Sequence, residues 1–155
     1  MRARRHRPLS VLIAQKRWPA LSTMLAGCEA PIYLASQAVL DAIAGFEMHR
    51  GILAIGRAGE AAPPADLLAG LGPEAMVVCL FGIGNHDNMG GIFRNAAAFG
   101  AHAVVLDAAC CDPLYRKAIR VSVGAALTTP FARLPAGQDV AAGSYGDTVV
   151  VTLDY

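Results

Sequence analysis

Residues 81–100, FGIGNHDNMGGIFRNAAAFG, carry the clearest fold signal in the chain. They follow the continuous apolar run MVVCLF at 76–81, whose length is typical of a strand covered on both faces in a parallel sheet. The glycines and asparagines after this run indicate a turn, and the next segment predicts a helix over about 89–99. Together they predict a strand end, a turn and a helix.

The helix within this stretch combines a capped start, two glycines and one isolated cation. Asp87 or Asn88 is expected to cap it, and Gly90 and Gly91 would let another chain or a ligand approach the backbone closely. Arg94 is the only charged residue between positions 87 and 107; from composition alone, a solvent-facing or ion-paired role is commoner than ligand binding. The predicted buried stripe is Ile92, Ala96 and Phe99.

The alternation of strands and helices extends in both directions from this stretch. Towards the carboxyl end we expect strands at 103–106 and 148–153 and a helix opened by Pro113, which together give a βαβα pattern with a parallel sheet. Towards the amino end we expect strands at 10–14, 31–34 and 51–55, a helix at 20–25, and a second helix capped by Ser36 and ended by Gly45.

The predicted fold class is therefore α/β, with two parts joined by a linker. Residues 1–56 form a partial small domain, and residues 74–155 form a parallel-sheet domain. Residues 57–73 are rich in alanine, proline and glycine and are predicted to be the linker.

Composition favours a globular protein, since 55% of residues are hydrophobic and only 16% are charged. No apolar run reaches membrane-spanning length. The four cysteines, at positions 28, 79, 110 and 111, show no metal-binding or disulfide pattern, so we interpret them as free thiols of a cytoplasmic protein. No metal site is predicted.

A specific family resemblance rests on Asn88-x5-Arg94-x-Ala-Ala-x-Phe-Gly100 followed by Val104-Val-Leu106. This pattern resembles the first conserved motif of the SpoU (TrmH) branch of the SPOUT methyltransferases. Asp112-Pro113, Lys117, Arg120 and Ser122-Val-Gly-Ala125 are similar to the family's following segment. His49-Arg-Gly-Ile-Leu-Ala54 resembles the end of the small substrate-binding domain that precedes the catalytic domain in many members.

The resemblance implies transfer of a methyl group from S-adenosylmethionine (SAM) to a ribose 2′-hydroxyl of tRNA or rRNA, by a homodimer. It assigns to Arg94 the activation or orientation of that hydroxyl, and to Asn88 the shaping of the site. Acting as a base would require a strongly perturbed guanidinium, and clamping a phosphate is the easier role. Both roles stay open from the sequence.

Four basic residues are candidates for contacts with RNA phosphates: Arg50, Arg116, Lys117 and Arg120. Arg116 and Arg120 are one helical turn apart and are expected to share a face. A solvated helix face is the plainer interpretation of such a pair, because basic residues at this spacing are common on surfaces.

Two segments that build the family's trefoil knot and bind SAM, one with glycine and glutamate and one rich in serine and asparagine, do not appear by Tyr155. We therefore expect an incomplete methyltransferase domain and assign no cofactor-binding residue. One alternative is a non-catalytic RNA-binding or dimer-forming module. A Rossmann-type dinucleotide-binding domain is less favoured, because Asp87 stands where the third glycine of that fingerprint belongs.

Overall fold

The computed structural model describes residues 6–59 and 62–137. Within these ranges, residues 6–59 belong to one compact unit and residues 62–137 to another. Both units mix helices and strands, which confirms the predicted α/β class. The strand predicted at 148–153 lies outside the described residues.

The first unit is a three-stranded sheet with the order β2-β1-β3. Strand β1 (His6–Ala14) is central, β2 (Ile32–Ala35) is parallel to it and β3 (Ile52–Ala58) is antiparallel. A 3-10 turn at Gln15–Arg17 and helix α1 (Trp18–Leu25) follow β1. All three strands appear near the positions predicted from the sequence.

Helix α2 (Gln37–Ala44) begins and ends as the sequence predicts. The Ser36 hydroxyl accepts a hydrogen bond from the Val39 N–H at 3.4 Å, and Gly45 adopts the left-handed conformation with φ of 76°. Leu40 is fully buried and packs with Ala14 and Met48. The helix thereby covers the Ala14 end of β1.

The second unit contains a parallel three-stranded sheet with the order β4-β5-β6. Its elements, in chain order, are α3 (Pro64–Ala69), β4 (Val77–Leu80), α4 (His86–Ala98), β5 (Ala103–Leu106), α5 (Arg116–Val121), α6 (Ala125–Thr128) and β6 (Phe131–Arg133). Strand β5 lies in the middle of the sheet and all four of its residues are buried.

Helix α3 lies inside the segment 57–73 that was predicted to be a linker. Pro64 occupies its first turn, where a missing N–H costs nothing and the fixed φ suits a helix. The prolines that indicate a linker in the sequence therefore open a short helix. None of the helices in the described ranges has both the length and the apolar character that crossing a membrane requires.

The predicted buried stripe of α4 was partly wrong. Ala96 is buried, but Phe99 is 78% exposed, because the buried face of the helix is formed by Met89, Phe93 and Ala96 and position 99 lies about 80° around the helix from Met89. Phe93 is fully buried in its place and meets Phe131 edge to face, with ring centroids 5.6 Å apart. Phe131 belongs to β6, a strand of three residues that the sequence did not predict.

Helices α4 and α5 approach each other closely at Gly90. A Cβ atom on this residue would lie 2.6 Å from the Ala118 carbonyl oxygen and 2.7 Å from the Val121 Cβ. Gly91, the next residue, would have no neighbour within 4 Å of its Cβ. The expected close approach to the helix backbone is therefore made by α5 at Gly90, and the surface at Gly91 stays open.

Replacing Gly90 by alanine should lower the free energy of unfolding by about 1–3 kcal/mol, since the added methyl group must push α5 away. Gly91→Ala is the matched control, because it adds the same methyl group to the same helix in open space. It should be stabilising by about 0.5–1 kcal/mol. Urea denaturation of the two variants measures the difference, and equal stabilities would contradict the close packing at Gly90.

Candidate functional site

The turn between β4 and α4 is held by the loop that follows β5. The Gly82 N–H donates to the Asp107 carboxylate at 3.0 Å, and the Cys110 N–H donates to the other carboxylate oxygen at 2.8 Å. The Cys111 N–H donates to the Ile83 carbonyl at 2.8 Å. These bonds join two neighbouring loops at the carboxyl edge of the parallel sheet, where such folds place their ligands.

Asp107 is the centre of this hydrogen-bond network. The Cys110 thiol lies within hydrogen-bonding reach of both the Asp107 carboxylate and the Leu80 carbonyl. The hydrogen bond from Cys110, together with those from the backbone N–H groups of Gly82 and Cys110, lowers the pKa of the Asp107 carboxyl below its ordinary value of 3.8. Asp107 is therefore an ionised structural acceptor.

Arg133, at the end of β6, clamps the same loop and was missed by sequence reasoning. Its guanidinium donates to the carbonyl oxygens of Asp107 at 2.8 Å, Cys110 at 2.7 Å and Cys111 at 3.1 Å. Because β6 has only three residues, it gives no period-2 pattern. The only signal in the sequence is a lone arginine directly after the apolar pair Phe131-Ala132.

Helix α4 is capped by Asn85. The Asn85 side-chain oxygen accepts from the N–H groups of Asp87 at 2.7 Å and Asn88 at 3.3 Å. The prediction that Asp87 or Asn88 caps the helix was wrong, because the helix begins at His86, three residues earlier than predicted. Asp87 lies instead in the first turn, where an acid is stabilised by the helix dipole.

The start of α4 is tied to the start of α5 by two side-chain contacts. The Lys117 Nζ lies 2.6 Å from the Asp87 carboxylate, with both side chains about half exposed. The rings of His86 and Tyr115 have centroids 4.3 Å apart. Lys117, a predicted RNA contact, thus has its charge balanced by Asp87, and Tyr115 packs against a neighbour within the chain.

The helix start at α5 also differs from the prediction. Pro113 lies in a turn, in which the Asp112 carboxylate accepts the Leu114 N–H at 2.8 Å, and α5 begins at Arg116. The Asp112 side chain competes for backbone donors and so favours a turn over a helix at this point.

Arg94 and Asn88 are both exposed on α4, but the helix does not place them side by side. Six residues of α-helix separate them by about 9 Å along the axis and about 120° around it. Arg94 forms no hydrogen bond or ion pair with any residue in the described ranges. One turn before it, Gly91 leaves open surface next to the guanidinium.

The remaining predicted RNA contacts lie in both units. Arg116 and Arg120 are exposed on α5 at a spacing of four residues, so they share a face. Neither is ion-paired to another described residue. Arg50 is exposed in the turn before β3 of the first unit.

The model of the SpoU rRNA Methylase family matches residues 75–152, half of the chain. The chain belongs to the SpoU rRNA methylase family. The matched range contains α4, α5 and both of the loops that Asp107 joins.

Relatives of this SpoU family member are named uncharacterized tRNA/rRNA methyltransferases. One from Mycobacterium bovis is 43% identical over 133 residues, and one from Mycobacterium tuberculosis H37Rv is 44% identical over 135 residues. Each match covers 86% of this chain and 45% of the relative. The chain thus spans a little under half the length of these relatives.

Solved structures of SpoU and related methyltransferases share the fold. AviRb from Streptomyces viridochromogenes, in complex with AdoMet (SAM), has a TM-score of 0.69 at 18% identity. The match covers 85% of this chain and 48% of the AviRb chain. An AdoMet-bound rRNA methyltransferase from Sinorhizobium meliloti has a TM-score of 0.66 at 18% identity, covering 83% and 47%.

A Rossmann-type cofactor site is not built by these residues. That site needs a free acid at the end of the second strand to bind a ribose, and Asp107 already uses both carboxylate oxygens on backbone N–H groups. The side chain of Asp87 is paired with Lys117. We therefore assign no cofactor-binding residue within the described ranges of this SpoU family member.

Removing the Arg133 clamp should loosen the loop after β5. Arg133→Met keeps the apolar stem but leaves three carbonyl groups without their donor, which should cost about 1–3 kcal/mol of stability. The backbone N–H groups of Cys110 and Cys111 should exchange with solvent faster. Arg116→Met removes an exposed cation without a described partner and should change stability by no more than about 0.5 kcal/mol. Matching exchange rates in both variants would contradict the clamp.

Lowering the pH should break the hydrogen bonds that Asp107 accepts. Because the folded state lowers the pKa of this carboxyl, its contribution to stability is complete above 3.8 and is lost as the pH falls through the lower folded-state pKa. Unfolding free energies measured between about pH 5 and 2 should therefore fall more steeply for the native chain than for Asp107→Asn. Asp41, whose pKa is also lowered, acts equally in both proteins. Identical pH profiles would show that Asp107 does not hold the turn.

Proposed function

We propose that this chain is part of an RNA methyltransferase that transfers a methyl group from SAM to a ribose 2′-hydroxyl of tRNA or rRNA. Membership of the SpoU rRNA methylase family supports methyl transfer to RNA. The relatives named tRNA/rRNA methyltransferases support the RNA class. The ribose 2′-hydroxyl is the finer part of the proposal, and an RNA 2′-O ribose methyltransferase shares the fold with a TM-score of 0.59.

The observation that supports the proposal most directly is that Arg94 is exposed and not paired with any described residue. Its side chain is exposed on α4 and has no carboxylate partner in the described part of the chain, so its charge and its five N–H donors are available to a ligand. A ribose hydroxyl is a poor nucleophile and needs to be oriented beside the methyl donor. A guanidinium that grips the adjacent phosphate performs this positioning without giving up its proton.

The surface around Arg94 favours the approach of an RNA backbone. Gly91 leaves space beside the helix where any side chain would protrude, so a ribose and its phosphate would lie against the helix backbone next to the guanidinium. Asn88 stands near the start of α4, about 9 Å along the axis from Arg94. In this proposal Asn88 contacts a neighbouring nucleotide, and Arg94 alone contacts the reacting one.

The proposed phosphate contacts beyond the reacting nucleotide are Arg116, Arg120 and Arg50. Arg116 and Arg120 share the exposed face of α5 and have no described acidic partner. Lys117 is a weaker candidate, because binding RNA would require it to leave Asp87. The family resemblance further suggests a homodimer in the cytoplasm, with SAM bound by residues outside those described.

The test is methyl transfer from SAM to bulk tRNA and rRNA, with the chain joined at its carboxyl end to the remaining part of its Mycobacterium tuberculosis relative. Arg94→Ala should lower kcat by about 100-fold or more, in the range found when a positioned donor is removed, while the affinity for SAM stays unchanged. Arg94→Lys keeps the positive charge but loses the planar guanidinium that donates two parallel hydrogen bonds, so it should recover only part of the rate.

Unchanged turnover in Arg94→Ala would remove this residue from the reaction. RNA binding without any methyl transfer by the unmutated fusion would favour the non-catalytic RNA-binding alternative. Arg116→Met serves as a comparison, because losing a distant phosphate contact should raise KM with little change in kcat.

A further inference from the structure

The first unit carries a two-stranded ribbon at the amino end of β1. Strand β2 pairs with β1 only at residues 11–14, so residues 6–8 pair with β3 alone. In this ribbon Arg7 is directly opposite Arg57, and Pro8 is opposite Gly56. A register shift between Pro8 and Ser10 separates the ribbon from the rest of the sheet.

The two arginines are an unfavourable pair for the fold. Residues directly opposite in an antiparallel pair project on the same face with Cβ atoms about 4.5–5.5 Å apart, and like charges at such positions are destabilising. Both side chains are exposed, and neither is ion-paired to a residue in the described ranges. Ile55, two residues before Arg57 and so on the same face of β3, is 65% exposed.

The sequence next to the ribbon is also basic. Arg2, Arg4 and Arg5 precede Arg7, and no acidic residue occurs among residues 1–28. This excess of positive charge would raise the local concentration of an anionic ligand. Two opposed guanidinium groups can grip the oxygens of one phosphate from two sides, since each presents a planar fork of donors.

We propose that Arg7 and Arg57 form a phosphate clamp for the backbone of the RNA substrate. The bound anion replaces the repulsion between the two cations by two attractions, so the pair is unfavourable in the free chain and favourable in the complex. The choice of RNA as the ligand rests on the proposed function. The clamp itself rests on the register of the ribbon and on the exposure of both side chains.

The clamp predicts that stability and RNA affinity change in opposite directions. Arg57→Ala removes the like-charge pair and should raise the melting temperature, while removing a phosphate contact and weakening RNA binding. A residue that serves only the fold would not show this combination. Because the variant is expected to be more stable, loss of binding cannot be attributed to unfolding. Arg57→Lys keeps the charge and should retain both the melting temperature and most of the affinity.

The experiment titrates the 155-residue chain with a fluorescently labelled single-stranded RNA over a series of salt concentrations. Losing one phosphate contact should reduce the slope of log affinity against log salt by about 0.7, which corresponds to a roughly eight-fold weaker affinity at about 50 mM salt. Arg7→Ala should give the same change. Because both arginines grip one phosphate, Arg7→Ala combined with Arg57→Ala should change the slope by no more than either single substitution.

Three outcomes would overturn the clamp. The first is a raised melting temperature in Arg57→Ala with unchanged affinity and salt slope. The second is a lowered melting temperature, which would show that the two side chains stabilise the ribbon. The third is an unmutated chain that binds vesicles of anionic lipid or polyglutamate but not RNA. The binding measurement requires no methyl transfer, so RNA binding through the clamp together with no methyl transfer by the unmutated fusion would refute only the proposed function.

Discussion

The close approach of α4 and α5 at Gly90 fixes the arrangement of the second unit. With only a hydrogen atom at Gly90, the backbone of α4 rests against the Ala118 carbonyl and the Val121 side chain. This contact brings Asp87 to Lys117 at the start of the two helices. It also sets the rotation of α4, so that Phe93 is buried and Arg94, 100° further around the helix, is exposed.

A second constraint holds the turn that leads into α4. Asp107 accepts donors from both the turn and its own loop, and Arg133 donates to three carbonyl groups of that loop. Charged groups satisfy backbone atoms that a parallel sheet leaves unpaired where its strands end. The acid that would bind a ribose in a dinucleotide fold is a structural acceptor here, and this difference separates the two kinds of site more clearly than the glycine pattern does.

The sequence predicted the elements that local residue patterns define. It failed to predict the features that depend on contacts between residues far apart in the chain. The four apolar residues of β5 and the Ser36 and Gly45 ends of α2 were predicted because each depends on its own or adjacent residues. The cap of α4 was assigned to the wrong residue, because Asn85, Asp87 and Asn88 are all good capping residues and only the helix start distinguishes them. Strand β6 and the Arg133 clamp depend on pairing with β5, which no local pattern shows.

Whether a cation is already paired within the chain determines which basic residues remain candidates for binding RNA. In sequence, Lys117 and Arg120 look equivalent on α5, but Lys117 is paired with Asp87, and Arg120 has no described acid within reach. Arg133 is used by the fold, whereas Arg94 is not. A cation already matched by an acid or by carbonyl groups must break those contacts to bind a phosphate, so it gains less from the ligand. Arg7 and Arg57 are the opposite case, since each is destabilised by the other until an anion binds between them.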